Sequence, residues 1–110
     1  MTTSELDPQF RPYVDWILAV ARAYLGGATL TSTRRGFFHQ ARLYFTQASQ
    51  VCAPGTSTHE LGLAADLVVS AGSNSPHQAW LGAVWNRYCF NTWSPNDPVH
   101  FTSRRGCLKP

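Results

Sequence analysis

Apolar residues recur every three or four positions near the start of the chain, which is the spacing of one face of an α-helix. Asp7-Pro8 precedes this stripe, and a capping carboxylate followed by proline is a signal for a helix start. Gly26-Gly27 follows the stripe and predicts the end of the helix. We expect this helix to be scaffold. The stripe consists of Phe10, Tyr13, Val14, Ile17, Leu18, Ala21 and Leu25.

Two later segments also have helical spacing. Residues 36–48 predict a second helix, with a less regular period because apolar residues are dense there. Ser75-Pro76 repeats the cap-then-proline signal and predicts a third helix, in which we expect Trp80 and Trp85 to belong to the core. The expected packing positions of this third helix are Ala79, Trp80, Ala83, Val84 and Tyr88, flanked by Leu81 and Trp85.

Short stretches rich in branched residues predict three β-strands, at 28–33, 61–69 and 99–102. The second is almost continuously apolar, which is typical of a buried strand. Strands and helices in this order, over 110 residues, predict one α+β domain at 1–110. We expect a small, mainly antiparallel sheet packed with about three helices.

One carboxylate interrupts the second strand. Asp66 lies within its apolar run, and a buried carboxylate needs a cation, hydrogen-bond donors or a metal ion. His59 lies seven residues earlier, and His100 lies in the last predicted strand. Each residue alone is better explained as an ordinary polar side chain or an arginine partner. Together, two histidines and one carboxylate are the ligand set of an open, catalytic zinc site.

Composition narrows the range of partners. The formal net charge is +3 and only 14% of residues are charged, a mild and scattered excess that does not indicate nucleic acid but suits an anionic polymer such as a cell wall. Three cysteines leave at least one unpaired. No signal-peptide or membrane-spanning pattern is visible, so we expect synthesis in the cytoplasm without membrane insertion, and delivery by another factor if the substrate lies outside.

Three blocks of sequence, at 31–44, 53–67 and 97–101, resemble the D-alanyl-D-alanine carboxypeptidase family of zinc peptidases. This family includes the VanX and VanY types and the L-alanyl-D-glutamate endopeptidases of phage endolysins, and its fold is related to the hedgehog signalling domain. The most specific match is the pattern S-x-H-x-x-G-x-A-x-D, formed by Ser57, His59, Gly62, Ala64 and Asp66.

The resemblance implies a role for individual residues. His59, Asp66 and His100 would bind Zn²⁺ and leave one position for water. Arg35 would bind a substrate carboxylate and help to polarise the scissile carbonyl, for which a guanidinium fork is suited. Ser57 would support the site through a hydrogen bond. Trp93, just before the last block, is a candidate lining of the substrate cleft.

Asp97 departs from the family pattern, in which a glutamate stands three residues before the last histidine and acts as general base and acid. An aspartate keeps the proton chemistry because the two carboxyls have similar intrinsic pKa values. Its reach is one methylene shorter, and a misplacement of about 1 Å can cost on the order of a hundredfold in rate. We therefore keep two hypotheses: a catalytic Asp97, or a zinc-binding protein with little or no activity.

The function that we expect is hydrolysis of a peptide bond in bacterial peptidoglycan, by D-Ala-D-Ala carboxypeptidase or L-Ala-D-Glu endopeptidase chemistry. Small size and the absence of a signal sequence suit a phage lytic protein that reaches the wall after release or as part of a virion. The alternative is a structural or attachment component of a virion or cell wall, which would place phage virion proteins among its partners.

Overall fold

A computed structural model describes residues 2–33 and 58–104. The predicted helix at 36–48 lies outside the described residues. Within them, helix α1 spans Arg11–Leu25 and helix α2 spans Pro76–Tyr88. Strands β1, β2 and β3 span Ala28–Ser32, Ala64–Val69 and His100–Thr102. Two short 3₁₀ turns occupy Thr3–Glu5 and Thr58–Leu61.

The three strands form an antiparallel sheet with β2 in the centre, which confirms the α+β prediction. Leu30 pairs with Leu67 across β1 and β2, and the register shifts between Leu30 and Ser32. Asp66 pairs with His100 across β2 and β3. Ala64, Ala65, Leu67 and Val69 of β2 are buried, which agrees with the predicted buried, apolar strand. Its polar exception, Asp66, faces its partner on the edge strand.

Helix α1 packs against the sheet through the predicted apolar stripe. Phe10, Val14, Ile17 and Ala21 are buried, and the helix ends at Gly26 in the left-handed conformation (φ 76°). The start of the helix was predicted too early. The Asp7 carboxylate instead accepts a hydrogen bond from the backbone of Gln9 in a turn, and Tyr13 is 40% exposed. Neither described helix combines the length and apolar character that crossing a membrane requires.

Helix α2 begins as predicted, with Ser75 capping the backbone N–H of Gln78. Its predicted packing stripe is wrong. The buried positions are Gln78, Leu81, Gly82 and Trp85, whereas Trp80 is 42% exposed. At about 100° per residue the buried positions and the predicted stripe point about 150° apart, so the real inner face lies on nearly the opposite side of the helix. Two of its four buried positions are not apolar, which is why an apolar stripe could not reveal it.

The segment before β2 also differs from the prediction. Residues 58–61 form a 3₁₀ turn rather than the start of a strand, and Leu61 is 52% exposed. The break falls at Gly62, whose φ of +71° favours glycine. The backbone of Asp7 donates to the Gly62 carbonyl at 2.9 Å, and a Cβ on Gly62 would lie 2.8 Å from the nitrogen of Asp7. Close backbone approach therefore explains this glycine, and the turn delivers His59.

Candidate metal centre

Three elements bring one ligand atom each to the same point. His59 comes from the 3₁₀ turn, Asp66 from the central strand and His100 from the edge strand. Residues directly opposite each other on antiparallel strands have neighbouring side chains, which explains the contact of Asp66 with His100. These are the three predicted ligands, and they form a group that could hold a metal ion.

The ligand atoms form a nearly equilateral triangle. His59 Nε2 lies 3.3 Å from Asp66 Oδ1 and 3.3 Å from His100 Nδ1, and His100 Nδ1 lies 3.4 Å from Asp66 Oδ1. A tetrahedral zinc ion with bonds of about 2.0–2.1 Å holds its ligand atoms about 3.3–3.4 Å apart. The donor set, two imidazoles and one carboxylate, also matches what zinc selects. The residues therefore fit a zinc ion in both chemistry and spacing.

The three side chains of the triangle differ in their exposure to solvent. The side chain of His59 is 3% exposed, that of Asp66 18% and that of His100 27%. Structural zinc sites are closed by four protein ligands, whereas catalytic sites keep a position for water. Within residues 2–33 and 58–104, three side chains of graded exposure offer a ligand atom each, a number that leaves one position of a tetrahedral ion unfilled by them.

The residue that follows strand β1, Thr33, holds the ring of His59. Its Nδ1–H donates to the backbone carbonyl of Thr33 at 2.7 Å, since a carbonyl can only accept. The Thr33 hydroxyl in turn donates to the Glu5 carboxylate at 2.8 Å. A proton fixed on Nδ1 of a neutral imidazole leaves the lone pair on Nε2, the atom that faces Asp66. The tautomer needed for metal binding is thus selected by the fold.

The surroundings of Asp66 favour its ionised form. Burial alone would raise the pKa of Asp66, but its contacts with the rings of His100 and His59 outweigh that effect. The pKa of Asp66 consequently lies well below its ordinary value. A metal-ligating carboxylate must be deprotonated, so this environment keeps Asp66 ready as a ligand.

Asp97 and His100 are the two ends of a single turn. The backbone N–H of His100 donates to the carbonyl of Asp97 at 3.1 Å, and Asp followed by Pro is typical of the first two positions of such a turn. We call residues 97–100 the His100 turn. Asp97 is exposed and is not one of the three residues of the metal group.

Of the remaining predicted site residues, the structure describes Trp93. Arg35 and Ser57 lie outside the described residues. Trp93 is packed into the core with 8% of its surface exposed, so it can offer a substrate only an edge. Sequence reasoning missed Thr33 and Glu5 behind His59. Thr33 acts partly through a backbone carbonyl, which every residue type carries, so the sequence held no signal for it.

No protein-family model matches the sequence, and no curated protein matches it. Solved structures of zinc D,D-peptidases share its fold. One is a mutant of the vancomycin-resistance D,D-pentapeptidase VanY from a VanB-type resistance cassette, in complex with Zn(II). It superposes with a TM-score of 0.68 and 22% identity over 88% of this chain and 71% of that chain.

A second is VanYB in complex with D-alanine-D-alanine, with a TM-score of 0.65 and 20% identity over 88% of this chain and 70% of that chain. At this identity the likeness establishes the fold. The shared fold confirms the VanY-type resemblance that the sequence motifs indicated. The described part of the chain thus has a VanY-type peptidase fold with a His-Asp-His triangle of zinc-like dimensions.

Proposed function

We propose that this protein is a zinc-dependent peptidase that hydrolyses a peptide bond in bacterial peptidoglycan. The observation that carries the proposal is the triangle of His59, Asp66 and His100, whose 3.3–3.4 Å edges match a tetrahedral zinc ion. The shared fold with a D,D-pentapeptidase in complex with Zn(II) supports it. The partial exposure of Asp66 and His100 would give water and a substrate access to the ion.

A zinc ion held there supplies a Lewis acid and lowers the pKa of a bound water toward neutrality. The chain contributes the proton transfers. In this proposal the Asp97 carboxylate accepts a proton from the attacking water and gives it to the nitrogen of the leaving amine. One water is consumed, the C–N bond breaks, and a carboxylate and an amine are released.

Substrate binding falls to residues that the family resemblance assigns. Arg35 would bind a carboxylate of the stem peptide and stabilise negative charge on the scissile carbonyl oxygen, as a guanidinium fork can. Ser57 would support the site, and the exposed edge of Trp93 would border the cleft. The mild positive charge of the chain suits an anionic wall polymer.

Carboxypeptidase chemistry, which removes a terminal D-alanine, is the version we favour, because one structure with this fold holds D-alanine-D-alanine. Endopeptidase cleavage between L-alanine and D-glutamate is the other version. A phage lytic protein, acting on the wall after release or within a virion, remains our proposal for the biological setting.

The test is hydrolysis of purified peptidoglycan and of a synthetic stem pentapeptide by the zinc-loaded protein, with mass spectrometry of the products. Release of free D-alanine identifies a carboxypeptidase, and cleavage after L-alanine identifies an endopeptidase. Three side chains at position 97 form the matched series: the native aspartate, Asp97→Asn and Asp97→Glu.

Asp97→Asn keeps the shape but not the base, so turnover should fall by about 10²–10⁴-fold while zinc stays bound. Asp97→Glu restores the reach of the family residue and should retain turnover or raise it. Equal turnover by wild type and Asp97→Asn would remove Asp97 from the mechanism. No products from zinc-loaded wild type and Asp97→Glu, across several wall types, would overturn the peptidase proposal in favour of an attachment component.

A further inference from the structure

One backbone carbonyl near the metal centre accepts two side-chain hydrogen bonds. The carbonyl oxygen of Pro98 is 2.8 Å from Gln78 Nε2 and 2.8 Å from Trp93 Nε1. A carbonyl oxygen has two lone pairs, and both are used here. Pro98 lies inside the His100 turn, between the proposed base Asp97 and the ligand His100. The two donors therefore fix the orientation of the peptide that connects them.

Gln78 joins this turn to the central strand. It is fully buried, and besides its bond to Pro98 it donates to the Leu67 carbonyl at 2.8 Å and accepts from the Val69 N–H at 2.9 Å. A buried amide is costly unless its hydrogen bonds are made, and all three of these bonds are made. One side chain of α2 thus connects β2, which carries Asp66, to the turn that carries His100.

Trp93 is held on the same face of α2. Asn86 bonds both backbone groups of Trp93: its Oδ1 accepts from the N–H at 2.8 Å and its Nδ2 donates to the carbonyl at 3.0 Å. A Cβ on Gly82 would lie 2.1 Å from the indole ring, so only glycine lets the ring approach so closely. Gln78, Gly82 and Asn86 are four residues apart, which places them on one side of a helix.

We propose that Gln78 and Trp93 are positioning residues of the metal centre. They act through the Pro98 carbonyl and set the His100 turn against β2, so that His100 Nδ1 completes the ligand triangle. Ligand sets must be held within about 0.5 Å of their working geometry, and outer partners provide that restraint. The inference rests on the zinc ion of the proposed function but not on peptidase activity, so its test measures metal binding.

The test compares two tryptophan-to-phenylalanine variants. Trp93→Phe deletes the indole N–H that binds Pro98. Trp85→Phe deletes the indole N–H of another buried tryptophan, which donates to Thr92 Oγ1 at 3.0 Å. Trp85 also packs against Phe101 of β3, so any general loosening of that strand appears in the control. Zinc affinity is measured by competition with a chromophoric chelator, and ligand geometry by the visible spectrum of the Co²⁺-substituted protein.

Trp93→Phe should weaken zinc binding by about tenfold or more and change the Co²⁺ spectrum, as loss of an outer partner of a metal ligand does. Trp85→Phe should bind zinc within about twofold of wild type with an unchanged spectrum, even though it costs folding stability as a core substitution. Equal weakening in the two variants, or an unchanged spectrum and affinity in Trp93→Phe, would overturn the proposal.

Gln78→Met provides a second arm, because methionine has similar length and makes none of the three hydrogen bonds. We expect the same change in the Co²⁺ spectrum, with a larger loss of stability because two strand groups lose their partner. Wild-type zinc affinity in the folded fraction of Gln78→Met would exclude Gln78 from the positioning role. If these effects occur in a protein without peptidase activity, the proposed function fails and the positioning role stands.

Discussion

Helices α1 and α2 flank the same sheet but turn different kinds of residue toward it. The inner face of α1 is apolar throughout, with Phe10, Val14, Ile17 and Ala21 buried. The inner face of α2 alternates between apolar side chains and the pair Gln78 and Gly82. Burial of apolar surface is non-directional, whereas hydrogen bonds fix orientation. We therefore interpret α1 as the helix that mainly stabilises the fold, and α2 as the helix that fixes the relative positions of the elements it contacts.

This difference follows the position of the proposed metal ligands. Asp66 and His100 belong to two different strands, so the angle between them depends on how β3 and its preceding turn sit against β2. Helix α2 contacts both through hydrogen bonds of Gln78. Helix α1 contributes no hydrogen bond to the His100 turn among those found in the described residues. The contrast predicts that substitutions in the two helices have separable effects on stability and on zinc affinity.

The largest effect should come from the ligands themselves, and it tests whether α2 serves the metal only indirectly. His59→Ala removes one of three protein ligands, and zinc affinity should fall by more than about 100-fold, beyond the loss caused by an outer partner. The matched control is His77→Ala, which removes an exposed histidine next to Gln78 on α2. Its zinc affinity should equal that of wild type in the same chelator competition. Weakened binding in His77→Ala would mean that α2 supplies a ligand directly.

The second-largest effect should come from the core of α1, where a substitution should lower folding stability without changing zinc affinity. Ile17 is fully buried, so Ile17→Ala should lower the free energy of unfolding by about 2–5 kcal/mol, and Ile17→Val by about 0.5–1.5 kcal/mol. Urea denaturation of the metal-free protein measures both. Zinc affinity of the folded protein should stay within about twofold of wild type. A loss of affinity in the milder Ile17→Val that matches that of Trp93→Phe would remove the distinction between the two helices.

The parts of this molecule that sequence could predict are those encoded by residue type at a fixed spacing. The grouping of His59, Asp66 and His100 was predictable because few combinations of side chains bind zinc and because their motif is specific. The helix cap at Ser75 and the stop at Gly26 were predictable because each depends on one residue's local chemistry. The buried apolar face of α1 was predictable because it is continuous.

The parts that sequence could not predict depend on tertiary partners. Gln78 counts as a surface residue by polarity, and only the positions of the Leu67, Val69 and Pro98 backbone groups explain its burial. Trp80 and Trp85 are equally apolar, but Trp85 is buried and Trp80 is 42% exposed. Because the inner face of α2 is partly polar, an apolar pattern could not reveal how this helix is oriented. Gln78, whose burial the prediction missed, is also one of the residues that we assign to positioning.

The smallest effect should arise where the two helices meet outside the core. Tyr24 of α1 and Trp80 of α2 have ring centroids 5.9 Å apart, and Trp16 and Tyr88 form a second such pair at 6.1 Å. A double-mutant cycle with Tyr24→Ala and Trp80→Ala should give a coupling free energy of about 0.5–1 kcal/mol by urea denaturation, since both rings are partly exposed.

The matched cycle combines Tyr24→Ala with Tyr88→Ala. Tyr88 lies about 12 Å along α2 from Trp80, the ring that Tyr24 contacts, so this cycle should give no coupling. Neither cycle should change zinc affinity, because these rings make no contact with Gln78 or the His100 turn among the described contacts. A Tyr24–Trp80 coupling that also shifts the Co²⁺ spectrum would show that the outer aromatic contact sets the position of α2, and α1 would then share the geometric role that we assign to α2 alone.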